Sequence, residues 1–360
     1  MKIAAATRQF EDWLFKRIAL VRADLDTKHA NMRQSPFLFL RATFYRWAQL
    51  WPEVCPELAA APEALAVGDL HIENFGTWRD LEGRLAWGVN DFDEVWPLAY
   101  TNDLVRLAAS AYLAIHETRL ALSREAAAEA ILEGYSKSIE AGGRPVILAE
   151  EHPALHAMAV YRLKDPAPFW KKLEALAPLK KNAVPEAALK ALRRMMPEPD
   201  LPLTISHRVA GQGSLGRQRF VALAQWRGGR VAREAKEAAP SACVWAYGEK
   251  RKRVLYQEIL DRSIRCPDPF VRLKGRWIVR RLAPDCARIE LSALPAERDE
   301  FRLLRAMGWE TANVHLGTLK AAAIRRDLAG RPAKWLSHAA ANMVQAVYDD
   351  WERWRAAPTG

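Results

Sequence analysis

Two words decide the reading of this chain: Gly68-Asp69-Leu70-His71-Ile72-Glu73-Asn74-Phe75 and, after a short gap, Val89-Asn90-Asp91-Phe92-Asp93-Glu94. The apolar run Leu85-Ala86-Trp87-Gly88-Val89 predicts a short buried strand ending at Asn90-Asp91. The first word reads as a loop leaving another strand, so Asp91 should face Asp69 and Asn74. Phosphoryl transfer needs this set: one carboxylate to orient and deprotonate a hydroxyl, and an Asn with a second carboxylate to hold Mg²⁺ on the phosphates. The catalytic candidates are therefore Asp69, Asn74 and Asp91, and the metal candidates Asn74, Asp91 and Asp93. Two rival readings use the same residues. One is an acidic surface turn followed by a helix cap; the other makes Asp69, His71, Asp91 and Asp93 ligands of a hydrolytic metal. No second His has ligand spacing near His71, so His71 is expected to shape the loop.

The words GDLHIENF at 68–75 and NDFDEVWPLAYTNDLVRLA at 90–108 resemble those of aminoglycoside and choline kinase-type phosphotransferases. These carry a GD-x-H-x-x-N loop, an acidic strand end and a further Asp twelve residues on. Asp91 and Asp103 keep that last spacing, which implies that Asp103 braces the catalytic loop. More specifically, Ser35–Trp47 (SPFLFLRATFYRW), GDLHIENFG and DLVRLAAS resemble a bacterial family of uncharacterised proteins, domain of unknown function 2252. That resemblance implies a fold and says little about a substrate.

A second segment extends the kinase likeness. Gly211-Gln212-Gly213-Ser214-Leu215-Gly216 fits G-x-G-x-x-G between two expected strands, Thr204–Ala210 and Gln218–Trp226. A helix would follow such a loop in a dinucleotide-binding fold; a strand follows here, as in a kinase phosphate flap. The Val expected two places after the third Gly is replaced by Gln218. Lys236 ends the next strand, Arg230–Lys236, where the kinase lysine that pairs the α- and β-phosphates would stand. Glu258 is the first choice for its acidic partner and Glu249 the alternative. Gly211, Gly213, Ser214, Gly216, Lys236 and Glu258 are thus the nucleotide-binding candidates.

In ordinary kinases the glycine loop precedes the catalytic loop; here Gly211 comes 142 residues after Asp69. The fold expected is α+β: a two-lobed protein-kinase-like fold, circularly permuted, with a large helical lobe and a small antiparallel β-rich nucleotide lobe. Residues 1–202 would form the catalytic lobe, 203–295 the nucleotide lobe with a hinge at 282–290, and 296–360 helices returning to the first.

The remaining sequence fits around this frame. The 360 residues are 50% hydrophobic and 27% charged, which excludes a disordered tail protein. Lys and Arg exceed Asp and Glu by 11, and residues 201–300 alone carry 20 against 11. The excess attracts anions and agrees with a polyphosphate in the β-rich part. It also favours an anionic acceptor over a cationic aminoglycoside. Four widely spaced cysteines contain no CxxC pair, and charges interrupt the first twenty residues, so a reducing cytoplasm and no membrane are expected. Residues 1–62 read as helices. Leu104, Leu107, Ala108, Ala111 and Ile115 repeat at helical spacing behind a cap at Thr101 or Asn102, and Ser123 opens another helix. Gly228-Gly229 marks a hairpin, a helix is expected at Tyr247–Arg262 and a strand at Arg276–Leu282. Fourteen tryptophans could stack bases, but Trp335, Trp351 and Trp354 lie at helical spacing and read as packing residues; Lys250–Arg253 reads as a solvated helix face. The activity expected is ATP- and Mg²⁺-dependent transfer of the γ-phosphate to a hydroxyl of a small molecule or protein. The alternatives are an inactive kinase-like scaffold that binds nucleotide, an RNA-binding protein or a metal-dependent hydrolase.

Overall fold

The computed structural model describes residues 1–117, 121–151, 153, 156, 157, 159, 165–248, 253–286 and 300–357. Glu249, most of the basic run at 250–253 and the second half of the expected hinge lie outside these residues.

The chain begins with five helices, Ile3–Phe15, Arg22–Gln34, Pro36–Ala42, Phe44–Val54 and Pro56–Ala59. Ser35 starts the third: its Oγ accepts from Leu38 N–H at 3.2 Å, and Pro36 occupies the first turn. Phe37, Phe39, Leu40, Phe44, Tyr45 and Trp47 are all buried in the main core. Burying a side chain of this size stabilises by about 1.5–3 kcal/mol, so the aromatic stretch fastens these helices to the rest of the molecule.

Two small antiparallel sheets follow. Strand β1 (Glu63–Ala66) pairs with β4 (Trp96–Ala99), and β2 (Phe75–Arg79) pairs with β3 (Leu85–Val89), whose other edge takes β5 (Val146–Ile147). Strand β3 is buried at every position, as its unbroken apolar run predicts. The helix Thr101–His116 is buried on almost all sides. Neither Thr101 nor Asn102 caps it: Thr101 Oγ1 donates to Leu58 O at 2.7 Å, and Asn102 Oδ1 accepts from Trp47 Nε1 at 2.9 Å. Tertiary partners claimed both side chains. Ser123 does cap its helix, Arg124–Ala141, accepting from Ala126 N–H at 3.1 Å.

The helices Glu300–Leu316 and Trp335–Ala356 return to this core. The first crosses Arg124–Ala141 so closely that a Cβ on Gly134 or Gly308 would strike backbone of the opposite helix. Trp335, Trp351 and Trp354 are buried, which fits their reading as packing residues. No described helix is long and apolar enough to cross a membrane.

The third sheet has five antiparallel strands in the order β6-β7-β8-β10-β9: Thr204–His207, Arg219–Trp226, Gly229–Glu237, Trp277–Leu282 and Arg272–Lys274. Arg227 and Gly228 form the β7–β8 turn with φ of 46° and 82°, the left-handed pair that a two-residue hairpin favours. One face of the sheet carries Ile205, Phe220, Ala222, Ala235, Trp277 and Val279 and packs on the helix Glu186–Met195. At one end of the other face, Val221, Ala232 and Leu282 meet Leu173 of the helix Ala167–Glu174. The sheet is therefore covered by chain that precedes it. Where one helix was expected at 247–262, the described residues place a helix only at Tyr256–Arg262, with another short one, Ala242–Ala246, just before the expected start.

Candidate active site

The loop between β1 and β2 is built by backbone hydrogen bonds to buried side chains. Asp103 Oδ2 accepts from Val67 N–H at 2.6 Å and Oδ1 from Gly68 N–H at 2.9 Å, while His315 Nε2 lies 3.1 Å from the same carboxylate. Gly68 turns the chain at φ +79°, where any Cβ would sit 2.5 Å from Glu94 O. Asn74 Oδ1 then accepts from His71 N–H at 2.6 Å, and Ser110 Oγ accepts from Ile72 N–H at 3.0 Å. His71 Nδ1 accepts from Glu73 N–H at 3.1 Å, a loop-shaping role.

Asp69 emerges from this loop against Arg106, one turn along the same helix from Asp103. Arg106 donates to Asp69 Oδ1 through Nε at 3.1 Å and also through Nη2, and its own guanidinium is fully buried between Phe44 and Trp47. Burial pushes the Asp69 carboxyl up to about 7, with Glu94 and Asp91 adding to the rise and Arg106 opposing it. A carboxylate that titrates there can accept a proton near neutral pH.

Asn90 N–H donates to Asn74 O at 2.9 Å and so seats the 90–94 turn beside the loop. Lys236 Nζ lies 2.5 Å from Asp93 Oδ2 and 3.5 Å from Asp91 Oδ1. Arg217 bridges Asp93 at 3.3 Å and Glu94 at 2.8 Å. Glu94 Oε2 also accepts from Ala242 N–H at 2.6 Å, tying the turn to the helix that follows β8. Burial raises the Glu94 carboxyl despite Arg217.

The glycine segment lies directly over Asp69. Residues 212–214 form a single 3-10 turn, and a Cβ on Gly213 would come within 3.0 Å of both Asp69 Oδ2 and Arg41 O. The Arg22–Gln34 helix holds the segment down: Lys28 Nζ donates to Gly213 O at 3.3 Å, Asn31 Nδ2 to Gln212 Oε1 at 2.9 Å, and Val21 N–H to Gly216 O at 2.7 Å. Burial lowers the Lys28 pKa.

Asp69, Asn74, Asp91, Asp93, Gly211, Gly213 and Ser214 thus line one pocket of about 20 Å³, room for little more than a water. Gly216 is not on it; it packs against Leu25. Beyond Asp91 and Gly211 opens a cleft of about 440 Å³, a small-molecule size. Among the described residues no three His, Cys, Asp or Glu are grouped to hold a metal ion.

One expectation needs correcting. Glu258 does not pair with Lys236: it lies 2.8 Å from Arg253 and 3.3 Å from Arg262. The Asp91–Asp93 turn supplies the partners of Lys236. Arg106, Arg217 and Glu94 join the site without having been expected there. Arg106 had a signal, standing three residues after Asp103 on a helix that presents both to one loop.

Residues 20–168 match the model of a family described as an uncharacterized protein conserved in bacteria, DUF2252. The match spans the aromatic helices, the loop at 67–74, the acidic turn and the helix bearing Asp103 and Arg106; the five-stranded sheet lies beyond it. No curated protein matches the chain, and no solved structure does.

Proposed function

We propose that this protein is a phosphotransferase of circularly permuted, kinase-like architecture that moves the γ-phosphate of ATP to an acceptor hydroxyl with Mg²⁺. The observation that carries the reading is the meeting of three distant segments: Asp69 and Asn74, Asp91 and Asp93, and the glycine turn line one pocket, while Lys236 sits on the two aspartates. The sheet-forming segment would be the nucleotide lobe and 300–357 a return to the catalytic lobe.

In this reading Asp69 is the base, held by Arg106 so that one carboxylate edge faces the acceptor. Asn74 and Asp91 would hold Mg²⁺, with Asp93 beside them. The donor set is all oxygen and fits: Asp93 Oδ1 is shielded from solvent without a hydrogen-bond partner among the described residues, and Asn74 Oδ1, which accepts from His71 N–H, keeps a second lone pair for an ion. Mg²⁺ commonly takes one or two carboxylates and completes its shell with phosphate oxygens and water, which suits a site lacking a closed protein cage. When bound, the ion would neutralise charge on the transferring phosphate. Lys236 would exchange Asp93 for a phosphate oxygen.

The test is thermal unfolding with ATP, with and without Mg²⁺, on the wild type and Asp91→Asn. A ligand at 100 times its Kd adds about 2.7 kcal/mol, a shift of a few degrees. A Mg²⁺-dependent shift that Asp91→Asn loses supports the site; equal shifts in both proteins overturn the assignment. A second reading, a nucleotide-binding scaffold without turnover, draws on the Asp69–Arg106 ion pair. Binding with no phosphate release or transfer across an acceptor panel would favour it.

A further inference from the structure

The large cleft has a roof whose chemistry follows from strand alternation. Paired residues in an antiparallel sheet point to the same face. Arg219 pairs with Lys236, Val221 with Glu234, and Glu234 with Arg280 across β7, β8 and β10, so Arg219, Glu234, Lys236 and Arg280 share one face. Arg208 joins them from the extension of β6, where its N–H donates to Arg219 O at 3.1 Å. Glu234 is almost wholly buried, and Arg208, Arg219 and Arg280 all close on its carboxylate, the last two at 2.7 and 2.9 Å. Although burial opposes ionisation, these guanidinium groups hold Glu234 well below the usual carboxylate range.

One buried carboxylate thus orients three arginines and leaves a net positive surface. Each guanidinium carries five N–H donors in a fixed fork. Among the described residues, Arg280 meets Glu234 through Nε alone and Arg208 through Nη1 alone. Both side chains, together with Arg219, line the cleft. Arg265 adds to the same wall, stacked on Trp78 at 4.4 Å, with its Nε buried and lacking a partner among the described residues. Farther along, the lining turns apolar and aromatic at Phe169, Tyr256, Leu260 and Leu282.

We infer that Arg208, Arg219 and Arg280 form a polyphosphate cradle on the face of the sheet, with Glu234 as the buried post that aims them. Its ligand is the phosphate chain of a nucleoside polyphosphate, whose aromatic base would lie toward Tyr256 and Phe169. The identity of the ligand as the phosphate donor rests on the phosphotransferase reading; the cradle itself does not. Arg219 Nη2 also donates to Ser214 Oγ at 2.8 Å, so a phosphate taken by Arg219 would compete with the bond that pins the glycine turn.

Calorimetric titration of the full chain with inorganic tripolyphosphate and with ATP, both without metal, tests the cradle. Arg280→Gln should weaken tripolyphosphate at least tenfold, and Arg280→Lys, which keeps the charge and loses the fork, should weaken it severalfold. Arg253→Gln, outside the cleft, is the control and should change nothing. If Arg280→Gln misfolds, Arg280→Lys decides the matter. Affinities within twofold of wild type in a folded Arg280 variant, or no tripolyphosphate binding by the wild type, would overturn the cradle. Binding that depends on Arg280 without phosphate transfer from ATP would keep the cradle and remove the phosphotransferase reading. Transfer with an affinity indifferent to Arg280 would do the reverse.

Discussion

The carboxylates of Asp93 and Asp103 lie ten residues apart in the chain and live in opposite electrostatic conditions. Asp103 is fully buried, and both its oxygens are saturated by Val67, Gly68 and His315. Asp93 shares a turn with Asp91 and Glu94, set against the two cations Lys236 and Arg217, and keeps one shielded oxygen without a partner among the described residues. A saturated polar group specifies structure, whereas a crowded and incompletely saturated one is held ready for something else. The fold uses the first to hold the second in place.

The sharpest way to break this contrast is Asp103→Ala, which strands two backbone N–H groups in the core. It should cost about 3–5 kcal/mol in urea denaturation. A loss under about 1 kcal/mol would mean the loop does not depend on this brace. Next in size, Asp69→Asn should slow phosphate transfer by at least about 10²-fold while ATP affinity stays within twofold.

The pH dependence follows from the same carboxylate. Its folded pKa lies above the usual Asp value, so the protonated form favours the native state. That stability is present below about pH 4 and is lost as pH rises through about 7. Denaturation of wild type and Asp69→Asn across this range should show the wild type losing ground as pH increases. Transfer by the wild type should rise over the same interval, because the base must be ionised. A flat stability difference would place the Asp69 titration elsewhere.

Asp93→Asn sharpens the comparison from the other side. Because Lys236 keeps Asp91 and Arg217 keeps Glu94, neither cation is stranded, and the loss of stability should stay below the roughly 3–5 kcal/mol of a buried pair broken outright. Mg²⁺-dependent ATP affinity should fall about tenfold or more. The smallest effect belongs to Glu258→Gln, whose partners Arg253 and Arg262 are largely exposed: below about 0.5 kcal/mol and no change in ATP affinity. A large loss of ATP binding there would restore the helix acid as the partner of Lys236.

Local patterns carried much of this into the sequence. Strand β3, the Ser123 cap, the β7–β8 hairpin and the loop words at 68–75 depend on neighbours within a few residues, and alternation or capping reports them. Strands β1 and β4 are short and pair across an intervening subsheet, so no local turn signal announces them. The partner of Lys236 is not legible locally, because Glu258 stands only 22 residues ahead in the chain while Asp93 and Asp91 stand 143 and 145 residues behind. Arg217 and Lys28 carry no local signal as site residues for the same reason: their roles come from packing between segments far apart in the chain.

The clamp on the glycine turn has a consequence for how the protein comes into being. Lys28 meets Gly213 across 185 residues and Lys236 meets Asp93 across 143. At about 5–20 residues per second, a ribosome takes roughly 10–40 s to make the chain between the halves of the first contact. Throughout that interval the acidic turn has no lysine and the Arg22–Gln34 helix has no turn to hold. The pocket can therefore appear only late, when the sheet docks, and a chain cut short before residue 213 would carry the acids of the site with nothing to close over them.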